Sequence, residues 1–241
     1  RSLKNEIGIE WKNGVLWWQI NDILKAKIPK FVLLGNVDRL LKAPAKQRGQ
    51  AFGIILRCFA DQGYGVQWRV INAADYGHPQ RRRRTFIFAF HNSTKYYQRF
   101  NKKASKQDSS ITAIEDRMFS KPFKCHKAEN SLLKMCDIGI DDYPTLADVS
   151  EKFKFGFENT GYCLDYRIYT LKTEPFSKKK EKTLGDCLVD KDIPDYCYHL
   201  NFEKFKYLKG SKHIQRTAKD GHKYVYSEGA IAFPDALDRP G

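Results

Sequence analysis

The densest chemistry in the chain lies between Ile71 and Phe90, a stretch containing Gly-His-Pro-Gln followed by four consecutive arginines, Arg81 to Arg84. Like charges at this spacing repel one another unless they meet anions or solvent. A solvated basic cluster is the plain explanation, but the context argues for more. The Gly77-His78-Pro79 turn presents Gln80 and the arginines from the end of an apolar strand rather than from a tail. Each guanidinium carries a planar fork of five donors suited to phosphate oxygens and base edges. The chemistry to expect here is recognition of an anion or a nucleobase.

Net charge points the same way. The chain carries +15, and residues 1–92 hold sixteen Lys and Arg against six Asp and Glu. An excess concentrated in one part suits a surface facing a polyanion, although lysine-rich composition alone is common in proteins that never touch nucleic acid. Six cysteines sit at irregular spacings without a Cys-x-x-Cys, so Cys125-His126 is a weak metal candidate and no metal is expected. Reduced thiols are the default in the absence of a secretory signal. No apolar run approaches the roughly 18 residues of a membrane span. The sequence opens at Arg1 without Met, which suggests a fragment.

The elements that must position these residues read most clearly over residues 1–92. Gly14 precedes a helical stripe of Leu16, Ile20, Ile23 and Leu24, ended by Pro29. Phe31 to Leu34 is a continuous apolar run, the pattern of a strand buried on both faces of a parallel sheet. Phe52, Ile55, Leu56 and Phe59 form a second helical stripe, closed by Gly63. Strands are expected at Val66–Val70 and Thr85–Phe90, joined by a loop too short for a crossover helix and therefore antiparallel. Beyond about His91 the chain turns polar and lysine-rich, with turns expected at Gly156, Gly161, Gly185, Gly210 and Gly221 and a charged loop at Lys178–Lys182.

Asn72-Ala73-Ala74-Asp75-Tyr76-Gly77, then Pro79-Gln80, Arg82 and Arg84 before an apolar strand, closely resembles the Gln-x-Arg-x-Arg block of DNA cytosine-5 methyltransferases. Gly14 to Trp18 resembles that family's helix-initiating segment beside the methyl donor, and Phe31 to Val37 resembles its strand ending in Glu-Asn-Val. Thr183 to Leu188 with Ile193-Pro194-Asp195 is similar to a segment of the family's variable region, and Tyr226 to Pro240 to the approach to its next block. The resemblance implies an α/β, Rossmann-like S-adenosylmethionine-dependent sheet, present as its second half only, followed by a small, irregular, mostly-β target-recognition domain. The implied division is 1–92 for the catalytic half, 93–225 for DNA reading and 226–241 for the return to the catalytic domain.

The same resemblance implies the chemistry. The target cytosine is flipped from duplex DNA, a Cys thiolate from a Pro-Cys loop adds to C6, and the Glu of Glu-Asn-Val engages the base while S-adenosylmethionine gives up its methyl group. Carried over by residue, Arg84 binds the base's carbonyl oxygen, and Arg82 organises the nucleophile loop or a phosphate. Gln80, with Arg81, Arg82 and Arg83, faces DNA. Asn36 holds the loop after the strand, and Leu16 touches the cofactor. The resemblance also implies a restriction–modification context and a cytoplasmic, nucleoid-associated location in a prokaryote or phage.

Two departures stand out. Gly35 occupies the position of the catalytic Glu, and glycine relieving strain at a strand end would explain its tolerance but not how chemistry survives. No Cys here follows a Pro; Cys58 follows Arg57. The segment alone is therefore expected to be inactive and poorly stable, with Trp17, Trp18 and Phe31 short of partners. It would be a truncated enzyme or one half of a split enzyme completed by a second chain. A catalytically dead DNA-binding homologue is the alternative, and an unrelated enzyme acting on small nucleotides a distant third. Base-reading candidates such as Arg167, Lys172, Arg216 and Lys223 cannot be ranked from pattern alone.

Overall fold

The computed structural model describes residues 15–115, 118–176, 182–198, 201–217 and 223–241. Gly14, Gly221 and positions 178–181 of the charged loop, singled out above, lie outside the described residues. The chain forms two compact units, one from Arg1–Asn72 with Arg82–Ser177, the other from Ala73–Arg81 with Lys178–Gly241.

In the first unit the elements run α1 (Val15–Lys27), β1 (Phe31–Asn36), α2 (Gln50–Asp61), β2 (Tyr64–Asn72), β3 (Arg83–His91), α3 (Lys95–Ala104), α4 (Ser109–Ile114), β4 (Cys125–Lys127), β5 (Lys134–Asp137), α5 (Leu146–Lys152), β6 (Thr160–Leu164), β7 (Arg167–Leu171) and β8 (Thr173–Pro175). The second contains α6 (Phe202–Lys209), β9 (Lys212–Thr217) and β10 (Lys223–Glu228), the two strands forming an antiparallel pair.

The first unit is a mixed α/β structure around a six-stranded sheet ordered β1-β3-β2-β6-β7-β5. Every pairing in it is antiparallel. The β2–β3 pairing agrees with the short-loop argument. The parallel arrangement expected for Phe31 to Leu34 is overturned: β1 pairs antiparallel with β3 at the edge of the sheet. Nor is it buried on both faces, since Phe31 and Leu33 are 50% and 54% exposed while only Val32 and Leu34 turn to the core. Three of the six strands come from beyond residue 130, so the sheet is built jointly by the periodic and the polar halves of the sequence.

Alternation along the strands divides the sheet into two faces. Val66, Trp68, Ile87 and Ala89 join the core made with α1, α2 and α5, where the Phe52 ring meets Trp68 edge-on at 5.1 Å. Phe88, Phe90 and Tyr162 point the other way, under Tyr96 and Phe100 of α3. The expected stripe of α2 is buried throughout, and Gly63 leaves it with φ +76°, a conformation that favours glycine. The face of α1 is different from the expected one. Trp17, Trp18, Asn21 and Leu24 are buried, whereas Leu16 and Ile23 are exposed. The two tryptophans are not short of partners; Trp17 packs on Phe59 at 5.4 Å.

Two buried arginines tie the polar half to the rest of the unit, Arg57 from α2 and Arg69 from β2. Arg57 Nε bonds Asp61 at 2.7 Å, and its Nη1 donates to the carbonyls of Tyr143 at 2.7 Å and Ile138 at 3.1 Å. Arg69 Nη1 donates to Phe123 O at 2.9 Å and its Nη2 to Ile114 O at 2.8 Å. These side chains close loops rather than serve a ligand. Arg57→Met keeps the stem but strands two carbonyls, and is expected to lower the unfolding free energy by about 3 kcal/mol in urea titrations followed by tryptophan fluorescence.

Candidate functional site

β3 carries Arg83 and Arg84 at its first two positions, and the register fixes where each points. Gly35 stands opposite Phe86, Asn36 opposite Thr85, and Arg84 opposite Ile71 of β2. Residues 84, 86, 88 and 90 share one face of β3, so Gly35 and Arg84 lie on the same face as diagonal neighbours on adjacent strands. Such positions lie roughly 7–8 Å apart, within reach of long side chains. Arg84 is half-buried, with Nη1 donating to Arg83 O at 2.8 Å.

Gly35 does not relieve backbone strain. Its φ is not positive, and a Cβ built there would meet only Phe86 Cε1, at 4.0 Å, an ordinary contact. The position has room for a side chain that would project on the Arg84 face.

Asn36 lies on the opposite face, its Oδ1 accepting from Val37 N at 2.8 Å to shape the turn that follows β1. That turn leads into a single 3-10 segment, Asp38–Lys42. Between this segment, β1 and α1 opens a cleft of 480 Å³, lined by Leu16, Trp17, Ile20, Leu34, Gly35 and Asn36 among others. Leu16 is 67% exposed, an apolar side chain at the mouth of an apolar cleft. The structure therefore brings Leu16, Gly35 and Asn36 to one cleft, and Gly35 and Arg84 to one face.

The remaining arginines differ. Arg83 turns away from Arg84, and its Nε pairs with Asp38 at 3.2 Å. Arg82 is exposed. Gln80 and Arg81 belong to the second unit, on a turn held by Arg81 N donating to Gly241 O at 2.7 Å and Gly241 N donating to Pro79 O at 3.1 Å. Gly77 enters that turn with φ +87°. In the same unit Thr183 and Asp186 cap each other across the short Gly185–Cys187 turn. Arg216 stacks over Tyr226 at 4.0 Å, and in the first unit Arg167 lies 4.0 Å from Asp137.

The cysteines packed around the sheet are not prepared for nucleophilic attack by their surroundings. Burial pushes the Cys58 and Cys136 thiols up to about 12 and raises Cys163 as well, so these sulfurs stay protonated and unreactive. Among the described residues no group of three or more His, Cys, Asp or Glu could hold a metal ion, and no helix is long and apolar enough to cross a membrane.

The comparisons with known proteins bear on the same residues. The family model for C-5 cytosine-specific DNA methylase matches residues 4–231. The type II methyltransferase M.Sau3AI of Staphylococcus aureus is 41% identical over 246 residues, covering 100% of this chain and 57% of its own length. M.NgoBI of Neisseria gonorrhoeae is 38% identical over 91 residues, 38% of this chain and 28% of the relative. M.NlaIV of Neisseria lactamica is 39% identical over 85 residues, 34% of this chain and 20% of the relative. The chain thus spans little more than half the length of the first of these relatives and a smaller part of the others. With the family match running through both units and over the Arg84 strand, the chain belongs to the C-5 cytosine-specific DNA methylase family.

Proposed function

We propose that this chain is the base-holding and DNA-reading part of a DNA cytosine-5 methyltransferase of a restriction–modification system. The observation that carries the reading is the placement of Gly35 and Arg84 as diagonal neighbours on one face of the sheet. In the family pattern these positions hold a carboxylate and a guanidinium, which suits gripping one cytosine from two sides. Arg84 would donate to the carbonyl oxygen of a flipped base, where negative charge develops. Asn36 would fix the turn after β1. Arg82 would engage the nucleophile loop or a phosphate, and Gln80 and Arg81 would support a DNA-facing turn. Residues 93–225 would contribute the reading of sequence in the major groove.

The cleft suits S-adenosylmethionine: apolar walls from Leu16, Trp17 and Ile20 end at the Asn36 amide. Bound there, the cofactor would supply the methyl group. Leu16 and its neighbours would hold its apolar surface and keep water away. With no Pro-Cys pair in the sequence and glycine at position 35, the chain by itself is expected to transfer no methyl groups.

The test uses the complete protein, duplex DNA and S-adenosylmethionine labelled in its methyl group. In a Gly35→Glu background, Arg84→Ala is expected to reduce transfer by about 10²–10³-fold while leaving most duplex affinity, because phosphate contacts made elsewhere supply it. Transfer undiminished by Arg84→Ala would sink the role of this residue.

Gly35 itself favours a second reading, a homologue that binds DNA without methylating it. That reading requires salt-sensitive duplex binding with no methyl transfer in any Gly35 variant.

A further inference from the structure

We propose that α3 and the turn after it form a second DNA-binding surface, a ridge that grips the phosphate backbone away from the Arg84 end of the sheet. The inference rests on the reading of the chain as a DNA methyltransferase part and deepens it: within the DNA-reading stretch 93–225 it gives α3 a separate role, contact with the phosphate backbone. Lys95 to Lys127 carry nine Lys and Arg against three Asp and Glu, a denser excess than in the chain as a whole. The periodicity of α3 gathers part of it on one side. Arg99, Lys102 and Lys103 share one face of α3 at i, i+3, i+4 spacing, and with Lys106 in the turn after the helix they line a hollow of 370 Å³ floored by Tyr96 and Phe100.

The four cations are not equivalent. Lys103 is occupied, with Nζ 3.2 Å from Glu115 Oε2. Arg99, Lys102 and Lys106 are exposed and have no carboxylate within 4.0 Å among the described residues. Three unneutralised cations around one hollow, two on α3 and one in the turn after it, repel each other, and an anion would relieve them. Gln107 also lines the hollow, and its buried Nε2 has no hydrogen-bond partner.

The spacing suits a polyanion better than a single ion. At about 1.5 Å per residue the helical part from position 99 to 104 rises about 7.5 Å, and the turn carries Lys106 further, a reach of about two to three phosphates along one strand of a duplex at about 3.4 Å each. The ridge is also remote from the base-binding end. Phe100 packs on Phe90 at 5.3 Å, and the six residues from Arg84 to Phe90 span about 20 Å of extended strand. A duplex touching both must therefore extend well beyond the flipped base.

The experiment measures binding of the complete protein to a mixed-sequence duplex of about 40 base pairs between about 50 and 200 mM salt. The triple variant Arg99→Ala, Lys102→Ala, Lys106→Ala is expected to lower the slope of log affinity against log salt by about 2.7, or 0.9 for each lost phosphate contact. Methyl transfer at saturating DNA, read in the Gly35→Glu background, should not change. The charge-retaining pair Lys102→Arg and Lys106→Arg should keep the wild-type slope, which separates lost charge from lost fold. An unchanged slope in the triple variant overturns the proposal, as does a loss confined to binding of phosphatidylserine vesicles. If the wild-type protein shows no salt-dependent duplex binding, the methyltransferase reading falls first and this one with it.

Discussion

Gly35→Glu in the complete protein is expected to raise methyl transfer from S-adenosylmethionine to duplex DNA by about 10²-fold or more. Positioned general acid–base groups contribute about 10²–10⁴ in rate, and on the proposed reading position 35 is where such a carboxylate would stand. The backbone is ready for it. β1 is regular there, φ is not positive, and the new Cβ gains an ordinary contact with Phe86. A strand-interior glycine also weakens a strand, so the substitution should leave stability unchanged or slightly higher, readable as an unaltered urea midpoint. The carboxylate would project on the Arg84 face. There it would attract the guanidinium that now donates to Arg83 O, and a base entering between the two would meet both groups. If transfer stays at background while duplex affinity and stability are unchanged, the chain belongs to a protein that binds DNA without modifying it. Gly35→Gln gives the matched control: it fills the same space without a titratable group and should restore little.

How much of this was legible in the sequence depended on whether the signal was local. The stripe of α2 and the antiparallel pairing of β2 and β3 followed from periodicity and a short loop, and both stand. The partner of β1 did not follow, because four apolar residues look alike in a central strand and at an edge with one covered face. The same limit misplaced the face of α1: Leu16 and Ile23 fit a helical stripe, but the bulkier Trp17 and Trp18 took the core. α3 was hidden by its charge, although Thr94 caps it by accepting from Tyr97 N and Tyr96 and Phe100 stand four residues apart. At the site, the residue types were readable from Gln80 to Arg84, but the division of labour among them was not. Only the register shows that Arg84 shares a face with Gly35 while Arg83 turns toward Asp38.

Gly161 gives the opposite expectation to Gly35 from the same residue type. The sequence suggested a turn, but Gly161 sits inside β6, paired with Trp68 on one side and Thr170 on the other. A Cβ there would lie 2.3 Å from Trp68 Cζ2 and 2.4 Å from Tyr169 O. Neither can give way easily. Trp68 is fully buried and locked edge-on against Phe52 and Phe157, while the Tyr169 oxygen is backbone in the neighbouring strand. Overpacking a core usually costs about 1–3 kcal/mol, and a clash with backbone on one side and a locked indole on the other belongs at or above the top of that range. Gly161→Ala is therefore expected to cost at least about 3 kcal/mol, a large fraction of the roughly 5–15 kcal/mol that holds a typical domain folded. Urea denaturation should show a large drop in midpoint with loss of the native tryptophan signal. A midpoint within experimental error of the parent would mean that β6 does not pack against Trp68 as described. It would also remove the link by which the strands from beyond residue 130 complete the sheet that carries Arg84.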